Sequence, residues 1–171
     1  MQNIEYKIFT GSDQDIIKRL KTLGAKYAYG IYQKDTYFNY GGGRLKLREV
    51  KNKTAELILY TRSDDKRSRF SDYTIVPLAK KNKSIVLNLL KNLFGKKAEV
   101  VKKRNLWLLE HTRVHLDEVR GLGKFLELET MMQNINQKTA RKEHENIKKI
   151  LNLSKFKPIP SSYCDLIMSN K

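Results

Sequence analysis

Residues 115–129 read HLDEVRGLGKFLELE, two alternating segments on either side of a glycine-rich turn. Before the turn, Leu116 lies between His115 and Asp117, and after it apolar and acidic residues alternate through LELE at 126–129. Successive side chains of a β-strand point to opposite faces. Each segment therefore predicts a strand with one apolar and one charged face.

The same period of two runs through the other predicted strands. In the first strand, Glu5 and Lys7 share a face opposite Ile4, and in RLKLR at 44–48 two leucines oppose three cations. The charged faces divide into a basic and an acidic set. The basic set is Lys7, Arg44, Lys46, Arg48, Arg62, Lys102, Arg104 and Arg113. The acidic set is Glu5, Asp117, Glu127 and Glu129.

Periodicity and turn residues predict eight strands and three or four helices. The strands are expected at about 2–9, 26–40, 44–50, 56–62, 72–77, 97–105, 106–117 and 124–132. The helices are expected at about 12–24, with Ser12 as N-cap, at 82–94 and at 136–153, followed by a short element in the tail. Because hairpin turns join most strands, we expect an α+β fold with an antiparallel sheet, in one domain spanning 1–171.

Alternation alone leaves two arrangements open. In an ordinary open sheet the charged face lies in water and has no special role. In a curled sheet the charged faces look inward, where buried like charges are costly unless they are compensated. The basic set would then need an anion, for which a triphosphate serves. The acidic set would need a cation such as Mg²⁺ or Mn²⁺, which prefers carboxylate oxygens.

Composition narrows the class of protein. The 171 residues carry 35 Lys and Arg against 18 Asp and Glu, a net charge of +17 that predicts a polyanionic partner. No apolar run approaches the ~20 residues of a membrane span, and the N-terminus does not resemble a secretory signal. The single cysteine, Cys164, excludes an internal disulfide, so we expect a cytoplasmic protein without a membrane partner.

Several motifs together resemble the CYTH superfamily, the triphosphate tunnel metalloenzymes named for class IV adenylyl cyclases of the CyaB type and thiamine triphosphatase. The segment 115–129 is similar to the family's L-D-x-V-x-G-L-G-x-F-x-E-x-E pattern. NIEYK at 3–7 resembles its E-x-E-x-K signature, and RLKLR at 44–48 its R-L-R-L-R strand. QKDTYF at 33–38 and KKR at 102–104 match two further segments, so that the likeness covers nearly the whole chain.

The resemblance implies an eight-stranded antiparallel β-barrel, or tunnel, with a charged interior and flanking helices. It implies a Mg²⁺- or Mn²⁺-dependent enzyme that hydrolyses or cyclises a triphosphate compound such as inorganic triphosphate, ATP or thiamine triphosphate. By the same resemblance, Glu5, Lys7 and Asp117 are catalytic, the basic set binds phosphate and the acidic set binds the metal. The oligomer expected is a monomer or homodimer.

Two other functions remain open at this point. The charge excess also fits a non-catalytic polyphosphate or nucleotide binder, and this is favoured by Asn3, which stands where the family's signature has its first Glu. A nucleic-acid-binding domain is disfavoured, because the sequence contains no zinc-ligand spacing, RNP-type aromatic motif or P-loop. The polar segment Ser63–Phe70, with Arg62, Arg67 and Arg69, is expected to be a mobile loop that closes over one mouth of the tunnel.

Overall fold

The computed structural model describes residues 2–51, 55–62 and 69–170, and the side chains of 62 and 69–72 lie outside the description. The strands are β1 (Gln2–Phe9), β2 (Lys26–Phe38), β3 (Arg44–Val50), β4 (Ala55–Arg62), β5 (Arg69–Leu78), β6 (Lys96–Leu109), β7 (Thr112–Val119) and β8 (Gly123–Met131). The helices are α1 (Gln14–Thr22), α2 (Lys83–Phe94), α3 (Gln137–Ile150) and α4 (Tyr163–Ser169).

The strands form a closed antiparallel barrel in the order β1-β5-β4-β3-β2-β6-β7-β8, and β8 pairs with β1 to complete it. The expected α+β barrel is therefore confirmed, and the open-sheet alternative is excluded. Closure also means that one face of every strand looks into the barrel.

Apolar side chains on the outer face pack under the helices. A cluster that includes Ile8, Leu126 and Trp107 buries Leu20 of α1 and Ile147 of α3. A second cluster packs α2 against the strands, with Leu47 at its centre. Since these residues occupy the outer face, period-two alternation directs the charged residues between them inward. No helix among the described residues is long and apolar enough to cross a bilayer.

Several element boundaries differ from the sequence-based prediction, among them the start of β5 at Arg69, within the segment 63–70 expected to be a loop. The turn between β6 and β7 falls at Glu110 and His111 rather than near 105, and Glu110 adopts φ 53° without the glycine or asparagine that usually marks such a turn. Helix α1 is capped at Asp13 rather than Ser12, although Gly24 ends this segment as predicted, with φ 71°.

Candidate functional site in the barrel lumen

The barrel encloses a cavity of about 480 Å³ that is lined from all eight strands. Its described lining is densely ionic. The cationic side chains are Lys7, Lys46, Arg48, Lys102, Arg104 and Arg113. The carboxylates are Glu5, Asp35, Glu56, Glu127 and Glu129. Nine of these eleven groups belong to the predicted basic and acidic sets, so alternation correctly placed them on one enclosed surface.

Asp117 organises the cations of β6. It is fully buried and accepts hydrogen bonds from Lys102 Nζ at 2.9 Å, from Arg104 Nε and Nη2 at 2.6 Å each, and from Tyr163 Oη at 3.0 Å. Burial alone would raise the pKa of Asp117, but Arg104 and Lys102 outweigh it and hold the pKa at about 2. A carboxylate has about four acceptor positions, and all four contacts here come from protein donors. Asp117 could therefore ligate a metal only by giving up one of them.

Asp35 plays the same part for β3, and the sequence analysis did not select it. Its carboxylate accepts from Lys46 Nζ at 3.0 Å and from Arg48 Nε and Nη2 at 2.9 Å each. Burial opposes ionisation of Asp35, but Arg48 and Lys46 hold its pKa well below the usual range. Burial and the neighbouring Arg48 lower the pKa of Lys46 to about 8. The period-two pattern of the sequence could have identified Asp35, because it shares the inward face of β2 with Gln33 and Tyr37.

The acidic edge of the lumen lies where β1, β8 and β7 adjoin. Glu127 is 3.2 Å from Lys7 Nζ and 2.6 Å from Arg104 Nη2, while Glu129 is 3.1 Å from His115 Nε2. Glu5 lies directly opposite Glu129 in the β1–β8 register. Burial would raise the pKa values of Glu127 and Glu129, but Lys7 beside the former and His115 beside the latter keep both ionised, with pKa values well below normal.

The oxygen chemistry of this edge suits a divalent cation. Like charges directly opposite each other, as at Glu5 and Glu129, are unfavourable unless a cation compensates them. The side-chain oxygen of Asn3, two residues from Glu5, is buried and accepts no hydrogen bond from the described residues. No three or more His, Cys, Asp or Glu of the described part already converge as a metal site. The protein would thus supply a few hard oxygen ligands and phosphate oxygens the remainder, as is usual for Mg²⁺.

The described lumen is close to electrically neutral. Six cations line it, and the five lining carboxylates together with the buried Asp117 balance them in number. A triphosphate carries about four negative charges, so the lumen by itself does not offset that charge. Because the charges of the lumen already cancel, a phosphate chain is expected to bind together with a divalent cation.

Helix α4, which the sequence analysis expected only as a short element in the tail, lies across one end of the lumen. Lys7 Nζ donates to the carbonyl of Ser161 at 2.9 Å and lies 4.2 Å from the centre of the Tyr163 ring. At the rim, Arg44 Nη2 donates to Asp165 at 2.8 Å. Arg44, predicted to bind phosphate, is therefore held at this end by α4 and does not line the cavity.

Two sequence-based hypotheses fall outside what the structure describes. The side chain of Arg62, predicted to bind phosphate, lies outside the description, and so do residues 63–68 of the expected mobile loop. Both remain predictions.

Comparison with known proteins agrees with this geometry. The CYTH domain family model matches residues 1–163. A protein of Methanocaldococcus jannaschii named "Putative adenylate cyclase MJ0240" is 30% identical, over 97% of this chain and 98% of its own length.

Solved structures share the fold at lower identity. The PH1012 protein from Pyrococcus horikoshii OT3 superposes with a TM-score of 0.82 at 23% identity, over 96% of this chain and 98% of that one. A structure from Hippeastrum, "Putative adenylyl cyclase HpAC1", gives a TM-score of 0.71 at 15% identity, covering 99% and 96% of the two chains. With a family model spanning residues 1–163 and the same barrel around an ionic lumen, the chain belongs to the CYTH domain family.

Proposed function

We propose that this protein is a metal-dependent enzyme that binds a triphosphate compound inside the barrel and cleaves one of its phosphoanhydride bonds. The carrying observation is the closed lumen in which cations and carboxylates alternate at salt-bridge distance. The names of related proteins support this reading. The M. jannaschii relative is named "Putative adenylate cyclase MJ0240", and a dominant triphosphatase activity is stated for the Hippeastrum protein.

The residues proposed to bind phosphate and those proposed to bind the metal lie in different parts of the lumen. Lys7, Arg104 and Lys46 point into the lumen and would donate to phosphate oxygens, with Asp117 and Asp35 keeping the cations of β6 and β3 in place. Preorganised donors of this kind stabilise charge that develops in the transition state without reorganising during the reaction.

Glu5, Glu127 and Glu129 would hold a divalent ion, with the Asn3 oxygen beside them. A bound Mg²⁺ or Mn²⁺ would neutralise phosphate charge and polarise a phosphoryl oxygen. Because Glu127 also contacts Lys7 and Arg104, it connects the metal-binding edge to the phosphate-binding cations.

Two reactions are compatible with this site. In hydrolysis, water attacks the terminal phosphorus; in cyclisation, a ribose 3′-oxygen attacks the α-phosphorus and pyrophosphate leaves. The experiment incubates purified protein, with Mg²⁺ or Mn²⁺, with inorganic triphosphate, ATP or thiamine triphosphate, and measures phosphate, pyrophosphate and cyclic AMP. Absence of all three products above background contradicts the enzyme proposal.

A matched pair of variants makes this assay specific to the lumen. Glu127→Gln removes an inward carboxylate and is expected to lower kcat by at least about 100-fold. Glu118→Gln removes an exposed carboxylate of the neighbouring strand β7 and is expected to leave kcat unchanged. Equal effects of the two substitutions would show that turnover does not occur in the lumen.

A non-catalytic binder is the second candidate, and the saturation of Asp117 by Lys102, Arg104 and Tyr163 favours it. This function predicts tight, metal-dependent binding of triphosphate without product formation. A nucleic-acid binder, by contrast, would lose affinity steeply with salt.

A further inference from the structure

The outer side of α2 carries an apolar stripe that no described element covers. Ile85, Leu89 and Leu93 follow one another at intervals of four residues and are 68%, 53% and 64% exposed. Residues four apart on a helix lie on one face, so these side chains form a line about 12 Å long. On the barrel side of α2, Leu90 is buried in the cluster around Leu47. Because a helix that is apolar on both sides is typical of a buried helix, we expect the stripe to be covered when the protein functions.

The strands beside α2 extend this apolar surface. Val76 of β5 is 48% exposed and pairs with Leu57 of β4. Paired residues of neighbouring strands share a face, and Leu57 packs in the same cluster as Leu90 of α2. Val76 therefore lies on the side of the barrel that α2 covers. Aliphatic side chains that are exposed together on one side of a protein mark an interaction surface. We call this surface, made of Val76, Ile85, Leu89 and Leu93, the α2 face.

The charged residues of the α2 segment are all positive. From 79 to 98 the chain has six lysines and no aspartate or glutamate. Of these six, only Lys83 forms a salt bridge with a described residue, to Glu49 at 2.8 Å. The exposed lysines that flank α2 are Lys80, Lys81, Lys96 and Lys97. An anionic partner would therefore meet cations at both ends of the helix.

The described lumen does not account for the basic character of the chain. Its six cations and six carboxylates, Asp117 included, cancel in number, so the net charge of +17 is carried by other residues. The polyanionic partner expected from that charge can therefore bind outside the barrel. Since the lysines around α2 accompany exposed aliphatic side chains, this surface suits a partner that is both anionic and apolar.

We propose that the α2 face binds the surface of an anionic membrane, with the apolar stripe inserted at the boundary of the acyl chains and the flanking lysines beside lipid phosphates. In this orientation α2 lies parallel to the bilayer. The expectation of no membrane partner rested on the lack of a spanning segment, which surface binding does not require. The proposal is independent of the reaction in the lumen.

Composition and charge disfavour other coverings of the α2 face. Protein interfaces are enriched in aromatic residues and Arg and depleted in Lys, whereas the exposed positions of α2 hold only Ser, Ile, Asn, Leu and Lys. A second copy of the chain would place lysines against lysines, with no acidic residue in 79–98 to pair with them. A nucleic acid would gain nothing from the aliphatic stripe, since single strands are bound by cations and stacking aromatic rings.

The test is co-sedimentation of the full chain with vesicles of phosphatidylcholine, either alone or with about one-third phosphatidylglycerol as the anionic lipid. Wild type should bind the mixed vesicles and not the neutral ones. Leu89→Gln should weaken binding about tenfold, because it removes the apolar group that would leave water. The double variant Lys80→Gln, Lys81→Gln should weaken it about 25-fold, about fivefold for each charge removed. Circular dichroism checks that these exposed substitutions leave the fold intact.

Matched controls place the same changes on other surfaces. Lys18→Gln with Lys21→Gln removes two exposed lysines from α1, and Ile150→Gln removes an exposed aliphatic side chain from α3. Both controls should change vesicle binding less than twofold. Insertion is read separately from Leu89→Trp, whose fluorescence should shift to shorter wavelength with mixed vesicles. In wild type the buried Trp107 should show no shift.

Four results would overturn the proposal. The first is failure of wild type to bind the mixed vesicles. The second is an equal loss of binding in the α1 and α2 lysine variants, since overall charge rather than the α2 face would then attract the vesicles. The third is vesicle binding without a fluorescence shift in Leu89→Trp, since the stripe would then stay in water. The fourth is a lipid-free dimer, seen by sedimentation velocity, that Leu89→Gln dissociates, since a second copy would then cover the stripe.

Discussion

Substituting Asp117 by Asn tests whether this carboxylate is the resident counter-ion of the lumen. Asn is nearly isosteric but removes the charge that compensates Lys102 and Arg104, which are 4% and 6% exposed. Leaving one side of a buried ion pair uncompensated typically costs about 3–5 kcal/mol. The pKa of about 2, against an unperturbed 3.8, accounts for about 2 kcal/mol of that at neutral pH.

The assay is thermal unfolding of wild type and Asp117→Asn at pH 7, each with and without inorganic triphosphate. For a chain of this length, about 3–5 kcal/mol corresponds to a fall in Tm of roughly 10 °C. Because phosphate oxygens can replace the lost carboxylate, the ligand should stabilise the variant more than the wild type. A Tm within about 2 °C of wild type would refute the counter-ion argument, since removal of a charge among these cations must then cost almost nothing.

Three further predictions follow from single groups. Lys46 has a pKa of about 8 and loses its charge as pH rises through that value, so triphosphate affinity should fall about tenfold per pH unit above it. In a calorimetric titration, Lys46→Met should abolish this pH dependence. If the variant keeps it, the pH dependence belongs to another group. Asn3→Glu adds a carboxylate beside Glu5 and should tighten Mn²⁺ binding and raise turnover; equal Mn²⁺ affinity would show that position 3 does not contact the metal. Burial lowers the pKa of His144 to about 4, so as pH falls from about 6.5 to 4 the unfolded chain binds a proton at this position and the folded chain does not, which costs about 3 kcal/mol of stability. His144→Gln should therefore flatten the pH dependence of the free energy of unfolding, measured with urea, over this interval. An unchanged pH dependence contradicts this assignment.

Sequence alternation predicted the ionic surface well because strand geometry is local. Once the apolar partners of Lys102 and Glu127 are assigned to the outer face, both charged side chains must point inward whatever the barrel's shape. The likeness to CYTH proteins supplied what alternation could not, namely that the sheet closes.

The contacts that the sequence did not predict depend on residues far apart in the chain. Tyr163 reaches Asp117 across 46 positions, and Arg44 is removed from the lining by Asp165, 121 positions away. Asp35 lies in a strand rich in aromatic residues, with no second acidic residue nearby to indicate an acidic site. The β6–β7 turn at Glu110 was misplaced because nothing in its residue types distinguishes it from a strand.

The position of α4 determines the end of the barrel from which a ligand would enter and leave the lumen. With Tyr163 across one end of the lumen, a triphosphate compound bound as proposed would enter from the other end. A phosphate fragment released on the α4 side would then leave only after the rest of the compound had left. Product release in this order, rather than bond cleavage, would then limit the rate of the proposed reaction.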